Sequence, residues 1–203
     1  SQCTRTGDGP LVFGHRGARG HAPENTLLGI ETGIRLGADW IEVDVHLNAG
    51  NPVLMHDLTL DRTTNGRGFV ADVPPDYLAE LEAGRGQKVP SVLDAIDMID
   101  RRAGLNLELK SAGSAAVVVR AIRHAVQLLG RDWSAFLLSI FDLQEHRQLR
   151  ALVPSLPIGP PYARAPLDSA PRAAAPAPGA VALSPLFPAP EPILHAHPCV
   201  RAP

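Results

Sequence analysis

Two short segments of this chain alternate apolar and acidic residues with a period of two, the period of a strand rather than of a helix. In Ile41-Glu42-Val43-Asp44-Val45-His46-Leu47, successive side chains of a strand fall to opposite faces. Glu42, Asp44 and His46 therefore share one face and Ile41, Val43, Val45 and Leu47 the other. Residues 105–110 repeat the logic, with Leu105, Leu107 and Leu109 set against Asn106, Glu108 and Lys110. Each strand has an apolar side for a core and a polar side for chemistry. If both lie in one sheet, three carboxylates converge. Burying an unpaired carboxylate is costly, so cations must accompany them, either protein groups or a hard divalent metal ion. The bland alternative for Glu42 and Asp44 is a structural ion-pair network with arginines.

Helices and strands alternate around these segments. A strand over 11–15 leads through a Gly-rich turn and Pro23-Glu24-Asn25-Thr26 into a helix ending near Gly37, with Leu27, Ile30, Ile34 and Leu36 toward one side. A second strand covers 40–47. Asn48-Ala49-Gly50-Asn51 leaves only a short turn before a third strand over 52–56. Four residues cannot hold a parallel crossover, so a hairpin is expected, bringing His56 alongside Asp44. Residues 58–89, rich in turn formers around Thr63-Thr64-Asn65-Gly66-Arg67-Gly68, read as a small insertion capping the site. Ser91 is a good N-cap for a helix over 92–102, followed by a strand over 105–109, a helix over 114–129, a strand over 136–141 and a helix over 144–152. Further short strands are expected at 157–159 and 180–183. Twelve of the twenty prolines lie from Pro160 onward, so 160–203 is expected to be a Pro/Ala-rich, poorly regular part.

A chain of 203 residues suits one domain with a substantial core. Its formal net charge of −2 gives no general attraction to nucleic acid or acidic membranes, so any phosphate recognition must be local. The two cysteines, Cys3 and Cys199, fit no metal or redox spacing and indicate no disulfide framework. No apolar run approaches the ~20 residues of a membrane span, and the first residues lack the apolar core of a signal peptide. A soluble, cytoplasmic protein is expected, or a periplasmic or secreted one if a leader preceded Ser1. Nothing in the residues sets an oligomeric state.

Gly14-His15-Arg16-Gly17, Pro23-Glu24-Asn25-Thr26, Ile41-Glu42-Val43-Asp44-Val45, Pro52-Val53-Leu54-Met55-His56-Asp57 and Leu107-Glu108-Leu109-Lys110, in this order, resemble the glycerophosphodiester phosphodiesterase family. Arg62-Thr63-Thr64-Asn65-Gly66 looks like the start of that family's insertion. The resemblance implies an α/β fold, a TIM-type (β/α)8 barrel with its site at the strand ends. The chain departs from the family toward its C-terminal end, where the usual Trp-containing final strand is not found, so the barrel is expected to be incomplete or irregular there.

The same resemblance implies Glu42, Asp44 and Glu108 as metal ligands, His15 and His56 as acid/base histidines, and Arg16 and Lys110 as phosphate contacts. All-oxygen ligation suits Mg2+ or Ca2+, without a choice between them. The implied activity is hydrolysis of a glycerophosphodiester, the small-molecule partner, to glycerol phosphate and an alcohol. Two alternatives stand beside it: a phospholipase-D-like lyase forming a cyclic phosphate, and a non-catalytic phosphate-ester binding module. His46, His21, His124, His146, His195 and His197 lack a chemical context and are read as structural or solvated. Asp57 reads as a turn cap, and Asp61, Arg62 and Asn65 as residues ordering the insertion. Phe141 reads equally as pocket lining or as core.

Overall fold

The acid-bearing segment becomes the central strand of a five-stranded sheet. The structure, a computed structural model, describes residues 11–140, 143–154, 156 and 158. β1 (Phe13–Gly14), β2 (Trp40–Asn48), β3 (Asn51–Leu54), β4 (Gly104–Leu109) and β5 (Phe136–Ile140) form the sheet, with β1, β2, β4 and β5 adjacent and parallel. Helices lie between them in sequence: α1 (Leu27–Arg35) before β2, α3 (Val92–Ile99) before β4, α4 (Ser114–Leu128) before β5 and α5 (Leu143–Leu152) after it. Leu138 also bridges in parallel to Ile158, where the next strand position opens. This is the repeating strand and helix unit expected of a barrel, four parallel strands long among the described residues.

β3 folds back antiparallel on β2 with Val45 opposite Leu54, the hairpin expected from the short turn. It continues along the edge that β1 leaves: the Glu42 carbonyl accepts from Gly17 N at 3.0 Å, and the Asp44 carbonyl from Met55 N at 3.0 Å. On the other edge, Glu42 stands level with Asn106 and Asp44 with Glu108. The hairpin and the parallel pair thus bring the segments bearing His15, His56 and Glu108 around one short stretch of β2.

The apolar faces carry the core. Ile41, Val43 and Val45 of β2 and Leu105, Leu107 and Leu109 of β4 pack with Ile30 of α1, Ile96 and Ile99 of α3, and Val118 and Ile122 of α4. Each such side chain contributes about 1.5–3 kcal/mol on burial. That gain fixes the register, because a one-residue slip would turn the acids into the core. α1 begins at Thr26, whose hydroxyl accepts from Gly29 N, and packs close to the turn after β1. Gly17 lies at φ +85°, and a Cβ there would stand 2.6 Å from the Gly29 carbonyl carbon. The turn therefore takes glycine only.

Several boundaries differ from expectation. β1 has two residues rather than five, because Val12 N is satisfied by Asp39 Oδ2 at 2.7 Å, Leu11 is exposed and the chain coils into turns after Gly14. α3 ends at Ile99, since Asp100 turns to φ +42°. Leu36 caps α1 and is exposed rather than packed, and α4 stops at Leu128 with Leu129 as its exposed cap. The segment after β3 contains a helix not foreseen, α2 (Pro75–Glu80), and its Met55, Leu60, Val70, Leu78 and Leu81 form a second small core with Val53 of β3. Phe141, the strand expected at 180–183 and the Pro/Ala-rich 160–203 lie outside the described residues, as do Cys3, Cys199, His195 and His197. Among the described residues no helix is long and apolar enough to cross a membrane.

Candidate functional site

Glu42, Asp44 and Glu108 converge. One carboxylate oxygen from each lies within 4.8 Å of the others. Glu42 and Asp44 are buried, and Glu108 faces Asp44 across the parallel pair. Two protein cations join them. Lys110 Nζ contacts Glu108 Oε1 and lies 3.1 Å from Asp44 Oδ1, and Arg16 Nε lies 3.3 Å from Asp44 Oδ2. Burial alone would lower the Lys110 pKa, but the charges of Asp44 and Glu108 outweigh it and hold the ammonium above its ordinary value.

With all three ionised, three carboxylates against two cations would leave one negative charge in excess. Burial, then repulsion from Asp44 and Glu108, raises the Glu42 pKa well above the carboxylate range. Its Oε1 is buried with no hydrogen-bond partner. An orphaned carboxylate oxygen facing two other oxygen donors fits a hard divalent cation, for which all-oxygen ligation is the ordinary choice.

His15 and Arg16 leave β1 in a tight turn. Arg16 holds φ +50°, a strained conformation for a residue with a Cβ. The site supplies the restraint: Arg16 N donates to Glu42 Oε2 at 2.7 Å, and the Arg16 carbonyl accepts from Asn25 N at 3.0 Å. His15 Nε2 is brought 3.9 Å from Glu42 Oε2 with the imidazole half-exposed. Partial burial, then the charge of Arg16, pushes its pKa down to about 4.

His56 follows the hairpin on the opposite side. Its Nδ1 pairs with Asp57 Oδ1 at 2.6 Å, and its ring lies beyond ion-pair distance of the three carboxylates. His46, on the acid face of β2, is structural but supports this neighbourhood. Its Nε2–H donates to the His56 carbonyl at 3.2 Å, and its Nδ1 accepts from the Ser111 hydroxyl at 2.8 Å. A small cleft lined by Glu24, Asn25, Met55, His56 and Thr63 opens beside His56.

The sequence matches the glycerophosphoryl diester phosphodiesterase family over residues 15–194. The chain belongs to that family. It is 33% identical over 163 residues to a glycerophosphodiester phosphodiesterase of Caldanaerobacter subterraneus subsp. tengcongensis, covering 73% of this chain and 65% of the relative. Among solved structures, a glycerophosphodiester phosphodiesterase of Agrobacterium tumefaciens superposes with a TM-score of 0.65 at 32% identity, over 73% of this chain and 65% of that one. A phosphodiesterase of Oleispira antarctica, solved with the product sn-glycerol-3-phosphate, superposes with a TM-score of 0.64 at 36% identity, over 74% and 65%. The chain thus spans just under two thirds of the length of each. The glycerophosphoryl diester phosphodiesterase fold is a TIM-type barrel, and β1, β2, β4 and β5 with their helices supply the corresponding part of it, incomplete among the described residues.

In this family member, the side chains that support the site leave little trace in the sequence. Asn25, in the Pro23-Glu24-Asn25-Thr26 motif, holds one of the acids: its Nδ2 donates to Asp44 Oδ2 at 2.9 Å and its Oδ1 accepts from Asp44 N at 3.0 Å. Its φ of +55° is a conformation asparagine tolerates better than most residues, which is the only local signal. Arg62, read as ordering the insertion, reaches out of it to Asp57 and Glu24. Asp57, read as a turn cap, spends its carboxylate on His56 and Arg62.

Proposed function

We propose that this chain hydrolyses glycerophosphodiesters to glycerol phosphate and an alcohol such as choline or ethanolamine, with Glu42, Asp44 and Glu108 holding Mg2+ or Ca2+. The observation that carries the reading is the convergence of three acids from two strands beside His15, with an excess negative charge and an unpartnered Glu42 oxygen. Membership of the family and likeness to relatives named for this activity support the substrate class. Bound there, a divalent cation would neutralise the anionic phosphoryl oxygens that otherwise repel a nucleophile.

The chain's own groups account for the remaining needs of the reaction. Arg16 and Lys110 offer donors to the phosphoryl oxygens, and Arg16 Nε, although 3.3 Å from Asp44 Oδ2, makes no aligned hydrogen bond there. His15, neutral near pH 7 because its pKa is pushed down to about 4, is suited to accept the proton of the attacking water at Nε2. As the new O–P bond forms, the P–O bond to the alcohol breaks. His56, entering the step as the imidazolium, gives the departing alkoxide its Nε2 proton and is left as the neutral ring with Nδ1–H still bonded to Asp57.

The test is release of choline and glycerol phosphate from glycerophosphocholine during a titration with Mg2+ and Ca2+, with a chelator control. Turnover that requires the cation and is abolished in His15→Ala and Glu42→Ala is expected. Full turnover in either variant contradicts the assignment. A stable cyclic phosphate as the final product, seen by phosphorus NMR, contradicts hydrolysis.

A further inference from the structure

One side chain of the insertion joins the two segments that carry the histidines. Arg62 Nε donates to Asp57 Oδ2 at 2.6 Å and its Nη2 to Asp57 Oδ1 at 3.0 Å. On the other flank Nη2 donates to Glu24 Oε1 at 2.7 Å and Nη1 to Glu24 Oε2 at 3.1 Å. Each carboxylate then faces the site through a second partner: Asp57 Oδ1 meets His56 Nδ1 at 2.6 Å, and Glu24 Oε1 accepts from Arg16 Nη1 at 2.9 Å. A single guanidinium therefore closes a chain of polar contacts running His56, Asp57, Arg62, Glu24, Arg16, Asp44.

We propose that Arg62 is a positioning residue for the hydrolysis: by clamping Asp57 and Glu24 together it keeps His56 protonated at Nδ1 and holds the His56 segment in place against Arg16. The proposal rests on the reading of the preceding subsection for its activity but not for its geometry. A planar fork that engages two carboxylates, each with two bonds, is a task for arginine, which the point charge of lysine cannot reproduce. With Nδ1 bound to Asp57, Nε2 is the imidazole nitrogen left for proton transfer, the arrangement by which a third group orients an acid or base. The backbone behind Arg62 is itself fixed, because Asn65 N donates to the Glu82 carbonyl at 3.0 Å and Glu82 N to Asn65 Oδ1 at 2.8 Å. The insertion thereby serves the chemistry from outside the sheet. Stability alone does not explain the clamp. The Arg62 side chain is 46% exposed, and exposed ion pairs contribute little to folding.

The experiment compares the full chain with Arg62→Gln, Arg62→Lys and Arg67→Gln, the last being an insertion arginine whose side chain is 91% exposed. Three readouts are taken on each: kcat and KM on glycerophosphocholine, the thermal melting curve, and the ring 15N resonances of His56. Arg62→Gln is expected to lower kcat about 10–100-fold with KM little changed and folding intact. At a pH where the His56 ring is neutral, its signal should shift from the Nδ1–H tautomer toward a mixture with the Nε2–H one. Arg62→Lys should recover little of the loss, and Arg67→Gln should behave as wild type. Unchanged kcat in Arg62→Gln, an unchanged His56 tautomer, or full recovery with lysine overturns the proposal. If the wild-type chain itself fails to turn over substrate, the hydrolase reading falls, and the His56 resonances alone decide whether the clamp exists.

Discussion

Asn25 and Asp44 hold each other by two hydrogen bonds, Asn25 Nδ2 to Asp44 Oδ2 at 2.9 Å and Asp44 N to Asn25 Oδ1 at 3.0 Å. The pair aims one of the three converging carboxylates and ties the loop before α1 to β2. Groups that orient metal ligands matter nearly as much as the ligands. Asn25→Gly keeps the backbone freedom needed at φ +55° and removes only the amide. It is expected to weaken divalent-cation binding about 10–100-fold by calorimetric titration while the chain stays folded. Wild-type affinity in this variant contradicts the role.

The turn that presents His15 and Arg16 depends on Gly17. At φ +85°, with Gly29 backbone 2.6 Å from where a Cβ would lie, Gly17→Ala combines backbone strain with a collision that α1 must absorb. A loss of about 2 kcal/mol or more in urea unfolding is expected. Loss of cation binding should accompany it, because the same turn carries the Arg16 N to Glu42 bond.

Cation binding should stabilise the fold, and more so at higher pH. Glu42 keeps its proton in the folded, cation-free chain to a higher pH than in the unfolded chain. Its ionisation therefore costs stability as pH rises from the ordinary carboxylate value of 4.5 toward the raised folded value. A cation competes with that proton and removes the cost. At about a hundredfold excess over Kd, binding contributes about 2.7 kcal/mol, or roughly 5–10 °C in Tm for a domain of this size. The rise in Tm with Mg2+ or Ca2+ should be small at pH 5 and large at pH 8, and a chelator should reverse it. A rise independent of pH contradicts the coupling.

The Arg62 clamp has a signature in acid. Hydrogen bonding to Arg62 holds Asp57 well below its ordinary 3.8. Burial would raise Glu24, but Arg62 and Arg16 outweigh it and leave it below its ordinary 4.5. Both acids are stronger in the folded state, so their contribution to stability is complete above these ordinary values and is lost as pH falls through the lowered ones. Urea midpoints should therefore drop more steeply below pH 4 in the wild type than in Arg62→Gln. Parallel profiles contradict the contribution of the clamp.

What the sequence made legible was the part governed by local periodicity. The alternation in β2 and β4 separates acids from core without reference to any other residue, and the short turn at 48–51 leaves a hairpin as the only connection. The convergence of Glu42, Asp44 and Glu108 followed because two such strands in one parallel sheet put matching faces side by side. Contacts made by long side chains across the fold left no periodic trace. Arg62 meets Glu24 at a separation of 38 residues, and Asn25 meets Asp44 at 19. α2 is only six residues long and lies in a turn-rich stretch, so its amphipathic pattern is too brief to read. β1 ended early because Asp39, rather than a strand neighbour, satisfies Val12 N.

The most direct measurement is calorimetric titration of Mg2+ and of Ca2+ into the full chain and into Asp44→Asn, with the cation-free protein prepared by chelation. Asp44 takes part in the three-carboxylate cluster and holds both Lys110 and Arg16, so its charge is central to any cation site there. One equivalent of at least one of these ions should bind the wild type, and the isosteric amide should abolish or severely weaken that binding. Equal binding by both proteins, or none by the wild type, contradicts a cation site built by Glu42, Asp44 and Glu108.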